Sequence, residues 1–156
     1  MTIRRAKEKD IPRLLQLLGQ VLELHAKARP DVFVSGTTKY SEEELKAMVG
    51  DDYNPIFVAV DDSDEVIAYA FCQLKTQPFT STMVPFRSFF VDDFCVDEKA
   101  RGQHVGKELF EFIKQEAISR DCYEVTLNVW RGNDGAERFY EKMGMQTKER
   151  QMEYIL

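Results

Sequence analysis

The chain has 156 residues, 44% hydrophobic and 31% charged, with 8 glycines and 5 prolines; this excludes collagen, a low-complexity linker and a disordered acidic tail. A net charge of −6 argues against a general nucleic-acid binder, and no apolar run approaches the roughly 18 residues of a membrane helix. The length suits a single domain over 1–156 that buries on the order of two-thirds of its unfolded surface.

No apolar stretch follows the basic pair Arg4-Arg5, so no signal peptide is expected. Cys72, Cys95 and Cys122 lie far apart and form no CxxC pair, which predicts free thiols in a reducing cytoplasm. With two histidines, His25 and His104, no metal site is expected.

In chain order, Thr2 to Arg5 reads as a first strand. Asp10 is positioned to cap a helix whose first turn holds Pro12. Ile11, Leu14, Leu15, Leu18, Val21, Leu22 and His25 follow helical spacing until Arg29-Pro30. A loop runs from Asp31 to Tyr40, and Ser41 with Glu44 makes a capping box for a short helix ending near Gly50. Ile56–Val60 and Val66–Leu74 read as a hairpin. Phe86 to Val96 is a further strand, and Val105 to Arg120 carries an apolar helical stripe. Tyr123 to Trp130 alternates as a strand. Ala136, Phe139, Tyr140 and Met143 form a last helical stripe stopped by Gly144, and Met145–Leu156 reads as one or two final strands. Strand, glycine loop, helix and strand over 86–130 make a βαβ unit, so its two strands are expected to be parallel. The fold class is α/β (α+β): a mixed sheet with helices on its faces.

The segment that carries chemistry is Arg101-Gly102-Gln103-His104-Val105-Gly106-Lys107. It joins a strand to a helix, and glycine lets backbone approach a ligand closely. The first amides of a helix have no internal partners, and the dipole there favours negative charge, so the loop suits a phosphate or pyrophosphate. Lys99, Arg101 and Lys107 add cations. The residue after Gly106-Lys107 is Glu108, not Ser or Thr, so this is not a Walker loop; nor is GxGxxG present.

This loop resembles the acyl-CoA loop of the GNAT superfamily of N-acetyltransferases, Gln/Arg-x-x-Gly-x-Gly/Ala. Asn133, Ala136, Phe139, Tyr140 and Gly144-Met145 are similar to that family's second signature, and the element order matches throughout. His104 stands where the pattern has glycine. The resemblance implies a mostly antiparallel central sheet with one parallel, splayed strand pair and about four flanking helices.

It also implies acetyl-CoA as cosubstrate. Pantetheine would pair with backbone around Cys95 and Val96. The pyrophosphate would sit on amides from Gln103 to Lys107, with Arg101, Gly102, Asn133 and Phe139 nearby. An amine would attack the thioester directly, and backbone donors near Val96 would face the oxyanion. Tyr140 would protonate the departing sulfur. Asp92, Asp93 or a water chain would take the amine's proton; strand alternation predicts that at most one of the two aspartates faces the acceptor, unless a bulge changes the parity.

Plainer readings stand beside these. Tyr140 fits a core stripe, and Asn133 fits a helix cap. Asp92-Asp93 fits an exposed edge, and Cys95 an inert strand residue. His25 reads as packing or capping near the end of its helix. The loop after Arg29-Pro30-Asp31 borders the acceptor site in the family the chain resembles. The expected partner is a primary amine, a small cation or a protein amino group. Nucleic acid and membrane are not expected, and a homodimer stays open. The alternative function is a non-catalytic acyl-CoA sensor of the same fold.

Overall fold

Apolar residues on one stripe make helices and apolar residues in short runs make strands, and the chain alternates between the two. A computed structural model describes residues 1–156. It has strands β1 (Thr2–Arg5), β2 (Ile56–Val60), β3 (Val66–Thr76), β4 (Arg87–Val96) and β5 (Cys122–Leu127). Helices are α1 (Ile11–Ala28), α2 (Glu42–Met48), α3 (Val105–Ser119) and α4 (Asp134–Lys142). The sheet order is β1-β2-β3-β4-β5. All pairs are antiparallel except β4 with β5, which is parallel. No helix is long and apolar enough to cross a membrane.

Every residue of β2 is buried, because helices cover both sheet faces. On one face Leu14, Leu17 and Leu18 of α1 and Leu45 of α2 pack on Ile56, Val58, Val60, Tyr69, Phe71 and Cys95. On the other, Leu109, Ile113 and Ala117 of α3 pack on Phe57, Ala59, Ala68, Ala70, Phe89 and Val91. Residues two apart share a face, as the pleat requires.

Local signals held in several places. Ser41 accepts from the Glu44 amide at 3.1 Å while Glu44 accepts from the Ser41 amide at 2.7 Å, closing the expected capping box. α1 ends at Ala28, before Pro30. Asp10 differs from expectation. Its backbone is already helical and its side chain makes no cap bond to α1. Instead it accepts from the Lys7 amide at 2.7 Å and from Arg4 at 2.8 and 3.0 Å, because a 3-10 turn over Glu8–Asp10 precedes the helix.

The expected final strands do not form. Residues 145–156 carry no strand, since no neighbouring edge lies in ladder register with them; Met152, Tyr154, Ile155 and Leu156 are exposed. The segment is tied down through charge, Lys148 to Glu124 at 2.6 Å and Glu153 to Arg29 at 2.6 Å. β5 also stops at Leu127, short of the expected Trp130.

Candidate active site

The site follows from where two strands part. β4 and β5 pair from Arg87↔Cys122 to Val91↔Leu127. Beyond that pair β4 continues to Val96 while β5 has ended, so the backbone of residues 92–96 has no ladder partner on that side.

A bulge sits at the parting point. Phe71 opposes Asp93 and Cys72 opposes Val91, leaving Asp92 as the extra residue. Phe89 and Val91 face α3, as do Phe94 and Val96 further along. Asp92 and Asp93 therefore both turn to the opposite face, toward α1 and the loop before α2. This is the exception that the strand-alternation expectation allowed: an inserted residue shifts the two-residue alternation by one. Tyr40 donates to Asp92 Oδ2 at 2.5 Å, and Tyr69 donates to Asp93 Oδ1 at 3.0 Å. Lys39 Nζ stands 3.0 Å from Asp92 Oδ2 and 3.7 Å from Asp93 Oδ2. Burial pushes the Asp93 carboxyl above its ordinary range, with the Lys39 charge and the Tyr69 hydrogen bond opposing. Burial, then the bond to Asp92, raises the Tyr40 hydroxyl, so it stays a donor. His25 lies close enough to feel Asp93 and Lys39, and burial lowers its pKa; its ring packs on Phe33 at 5.0 Å. Lys39, Tyr40 and Tyr69 were not legible as site residues. Lys39 and Tyr40 had only the loop that ends at Tyr40 as a sequence signal, and Tyr69, inside β3, had none.

At the far end of the gap the chain turns through Gly102 (φ 79°) and His104 (φ 63°) into α3. His104 thus holds the left-handed conformation that glycine would take, which His adopts with less strain than most residues. The amides of Gly102 through Lys107 find no acceptor within the chain, and the first bond of the helix is Glu108 N–H to His104 O at 3.0 Å. Side chains here are subsidiary. Val105 is buried in the core and Lys107 is exposed. Arg101 Nε donates to Val96 O at 3.3 Å, and Gln103 Nε2 to Lys99 O at 3.2 Å.

Gly106 has a second reason to lack a side chain. A β-carbon there would stand 3.3 Å from Val96 Cγ2 and 3.4 Å from Phe139 Cζ, so glycine lets α3, β4 and α4 meet. Gly106→Val is expected to cost about 1–3 kcal/mol by overpacking, read as a lower Tm; an unchanged Tm would mean that Phe139 yields freely.

That close meeting seats Tyr140. Its ring packs on Phe139 (5.2 Å between centroids), Phe110 (5.9 Å) and Phe94 (6.1 Å). The expected core role is thus real for the ring, yet the residue is only half-buried. Burial raises its pKa, with the Asp93 charge adding to the effect and no hydrogen bond contributing. The hydroxyl keeps its proton at neutral pH and has no partner that claims it.

Other candidates fall into quieter places. Cys95 is buried, its thiol pushed up to about 12 by burial, so it is no nucleophile near neutrality; its backbone borders the gap. Asn133 accepts from the Ala136 amide at 3.3 Å and caps α4, and it also lines a cavity of about 110 Å³ with Trp130, Phe33 and Arg29. Phe139 lies over Gly106, with its ring in the aromatic cluster.

A strand pair parted beside a turn of unclaimed amides marks an enzyme class, the N-acyltransferases that take the acyl group from acetyl-CoA. Residues 18–145 match the model of the acetyltransferase (GNAT) family, and the chain belongs to that family. A mutant of the BH1408 protein from Bacillus halodurans superposes with a TM-score of 0.95 at 31% identity, over 100% of this chain and 99% of that one. Thialysine N-epsilon-acetyltransferase of Sus scrofa is 25% identical over 154 residues, 91% of this chain and 82% of that protein. Glucosamine 6-phosphate N-acetyltransferase of Arabidopsis thaliana is 39% identical over 62 residues, 40% of each chain; the match spans two-fifths of that relative's length.

Proposed function

We propose that residues 1–156 form one catalytic domain that acetylates a cationic primary amine from acetyl-CoA by direct transfer. The observation that carries this reading is the row of unclaimed amides over Gly102–Lys107 at one end of the gap, with Asp92 and Asp93 turned to one side at the other. Two similar proteins are named as N-acetyltransferases, one of thialysine and one of glucosamine 6-phosphate. A pair of carboxylates suits an ammonium and repels a phosphate, which favours the first kind of acceptor over the second.

Each group then has a task. The amides of Gln103 through Lys107, backed by Arg101 and the turn at Gly102, hold the pyrophosphate. They supply positive dipole ends that a protein of net charge −6 otherwise lacks. The edge of β4 at Cys95 and Val96 orders the pantetheine as it would a neighbouring strand, once Arg101 releases the Val96 carbonyl. Acetyl-CoA supplies the activated acyl group; the chain positions it and moves two protons. Asp92 is held in place by Tyr40 and Lys39. Asp93 is less completely paired, and burial raises its carboxyl above the ordinary range, which suits it to take the amine's proton. Tyr140 keeps its proton and delivers it to the departing sulfur.

Two measurements test the reading. Acetyl-CoA at a hundred times its Kd is expected to stabilise the native state by about 2.7 kcal/mol, seen as a raised Tm. In the same buffer a panel of amines is expected to release thiol, diamines faster than glucosamine 6-phosphate. A raised Tm with silence toward every amine would replace the enzyme by an acyl-CoA sensor.

A further inference from the structure

The carboxylate pair is occupied in the folded chain, and its occupant is an amine. The side chains of Asp92 and Asp93 are 15% and 9% exposed, and two largely covered carboxylates so close together need cations. The chain brings a single ammonium to both. Lys39 Nζ lies 3.0 Å from Asp92 Oδ2 and 3.7 Å from Asp93 Oδ2, and donates to the Asp92 carbonyl at 3.1 Å. One N–H is thus spent on the Asp92 carbonyl, and both carboxylates lie within ion-pair reach of that one ammonium.

Lys39 is also free to leave. Its side chain is 39% exposed and is carried on irregular chain between α1 and α2. The loop is secured elsewhere. Glu23 accepts from Ser35 Oγ at 2.7 Å and from the Gly36 amide at 2.6 Å, and the Tyr40 ring stacks on Phe71 at 5.4 Å. The four-carbon stem of Lys39 therefore rotates toward solvent without moving the loop, giving up its bond to the Asp92 carbonyl and its place over the Tyr40 ring.

We infer that Lys39 is an internal stand-in for the acceptor: its ammonium fills the acceptor's own ammonium subsite on Asp92 and Asp93, and an incoming cationic amine must displace it. The inference rests on the proposed acceptor site. It makes Lys39 a residue that sets acceptor affinity. It also favours a diamine, which returns two positive charges to two carboxylates where Lys39 supplied one.

The experiment titrates 1,3-diaminopropane into the CoA-saturated protein by calorimetry, comparing parent, Lys39→Met and Lys39→Arg. CoA binding by each variant reports that it is folded. Removing a competing ammonium worth about one partly screened ion pair is expected to tighten diamine binding about fivefold in Lys39→Met. Lys39→Arg keeps the charge and is expected to stay near the parent. Equal or weaker diamine binding by Lys39→Met overturns the inference, as does an absence of diamine binding by all three. Thiol release from acetyl-CoA, measured in parallel, separates this inference from the functional reading. Tighter binding without thiol release leaves the stand-in role intact and removes the transferase reading; thiol release without tighter binding does the reverse.

Discussion

Tyr140→Phe is expected to lower kcat about a hundredfold, the low end for loss of a positioned proton donor, while leaving Tm and acetyl-CoA affinity close to the parent's. The two halves of this expectation come from two parts of one side chain. The ring packs on Phe94, Phe110 and Phe139, and phenylalanine keeps all of those contacts. The hydroxyl takes part in no hydrogen bond that shifts its ionisation, so its removal leaves no orphaned partner behind. Steady-state thiol release checks the first half and thermal melting with ligand titration checks the second. Full turnover in the variant would clear Tyr140 of proton delivery. A large fall in Tm would place the hydroxyl in the architecture instead.

Asp93→Asn is expected to separate activity from stability in opposite directions. Burial holds the Asp93 carboxyl above its ordinary value of 3.8. A carboxyl whose folded pKa is raised binds its proton more tightly in the native state than in the unfolded chain. The stability it contributes is therefore present below the ordinary value and is lost as pH rises through the folded one. At neutral pH the parent pays for a buried charge that asparagine does not carry. The variant is expected to melt higher than the parent at pH 7, and the difference is expected to shrink as the pH falls toward 3.8 and the parent becomes neutral. Turnover is expected to drop by about two orders of magnitude through loss of the proton acceptor. A lower Tm at pH 7 would mean that attraction to Lys39 outweighs the cost of burial.

Much of the fold was legible because its causes are local. The capping box at Ser41 and Glu44, the proline that bounds α1 and the glycine turn before α3 each depend on a few neighbouring residues. The parallel pairing of β4 and β5 followed from the helix between them. The tail was misread because Met152, Tyr154, Ile155 and Leu156 near its end suit a strand, yet a strand exists only when another edge accepts its hydrogen bonds. Asp10 was misread for a similar reason: the arginine that claims its carboxylate comes from β1.

The candidate site divides along the same line. By itself the sequence determined the proposed anion-binding end, since a strand, two glycines and an amphipathic helix leave amides unclaimed where they occur together. It also named Tyr140, whose place on a helical stripe is a local fact. Tertiary structure alone decided the acceptor end. One extra residue in β4, opposite the Phe71–Cys72 step of β3, turns both aspartates to a single face, and parity of that kind depends on the register between two strands. Lys39 and Tyr40 reach those aspartates across more than fifty positions of chain, a distance that only packing of α1 and α2 on the sheet can close.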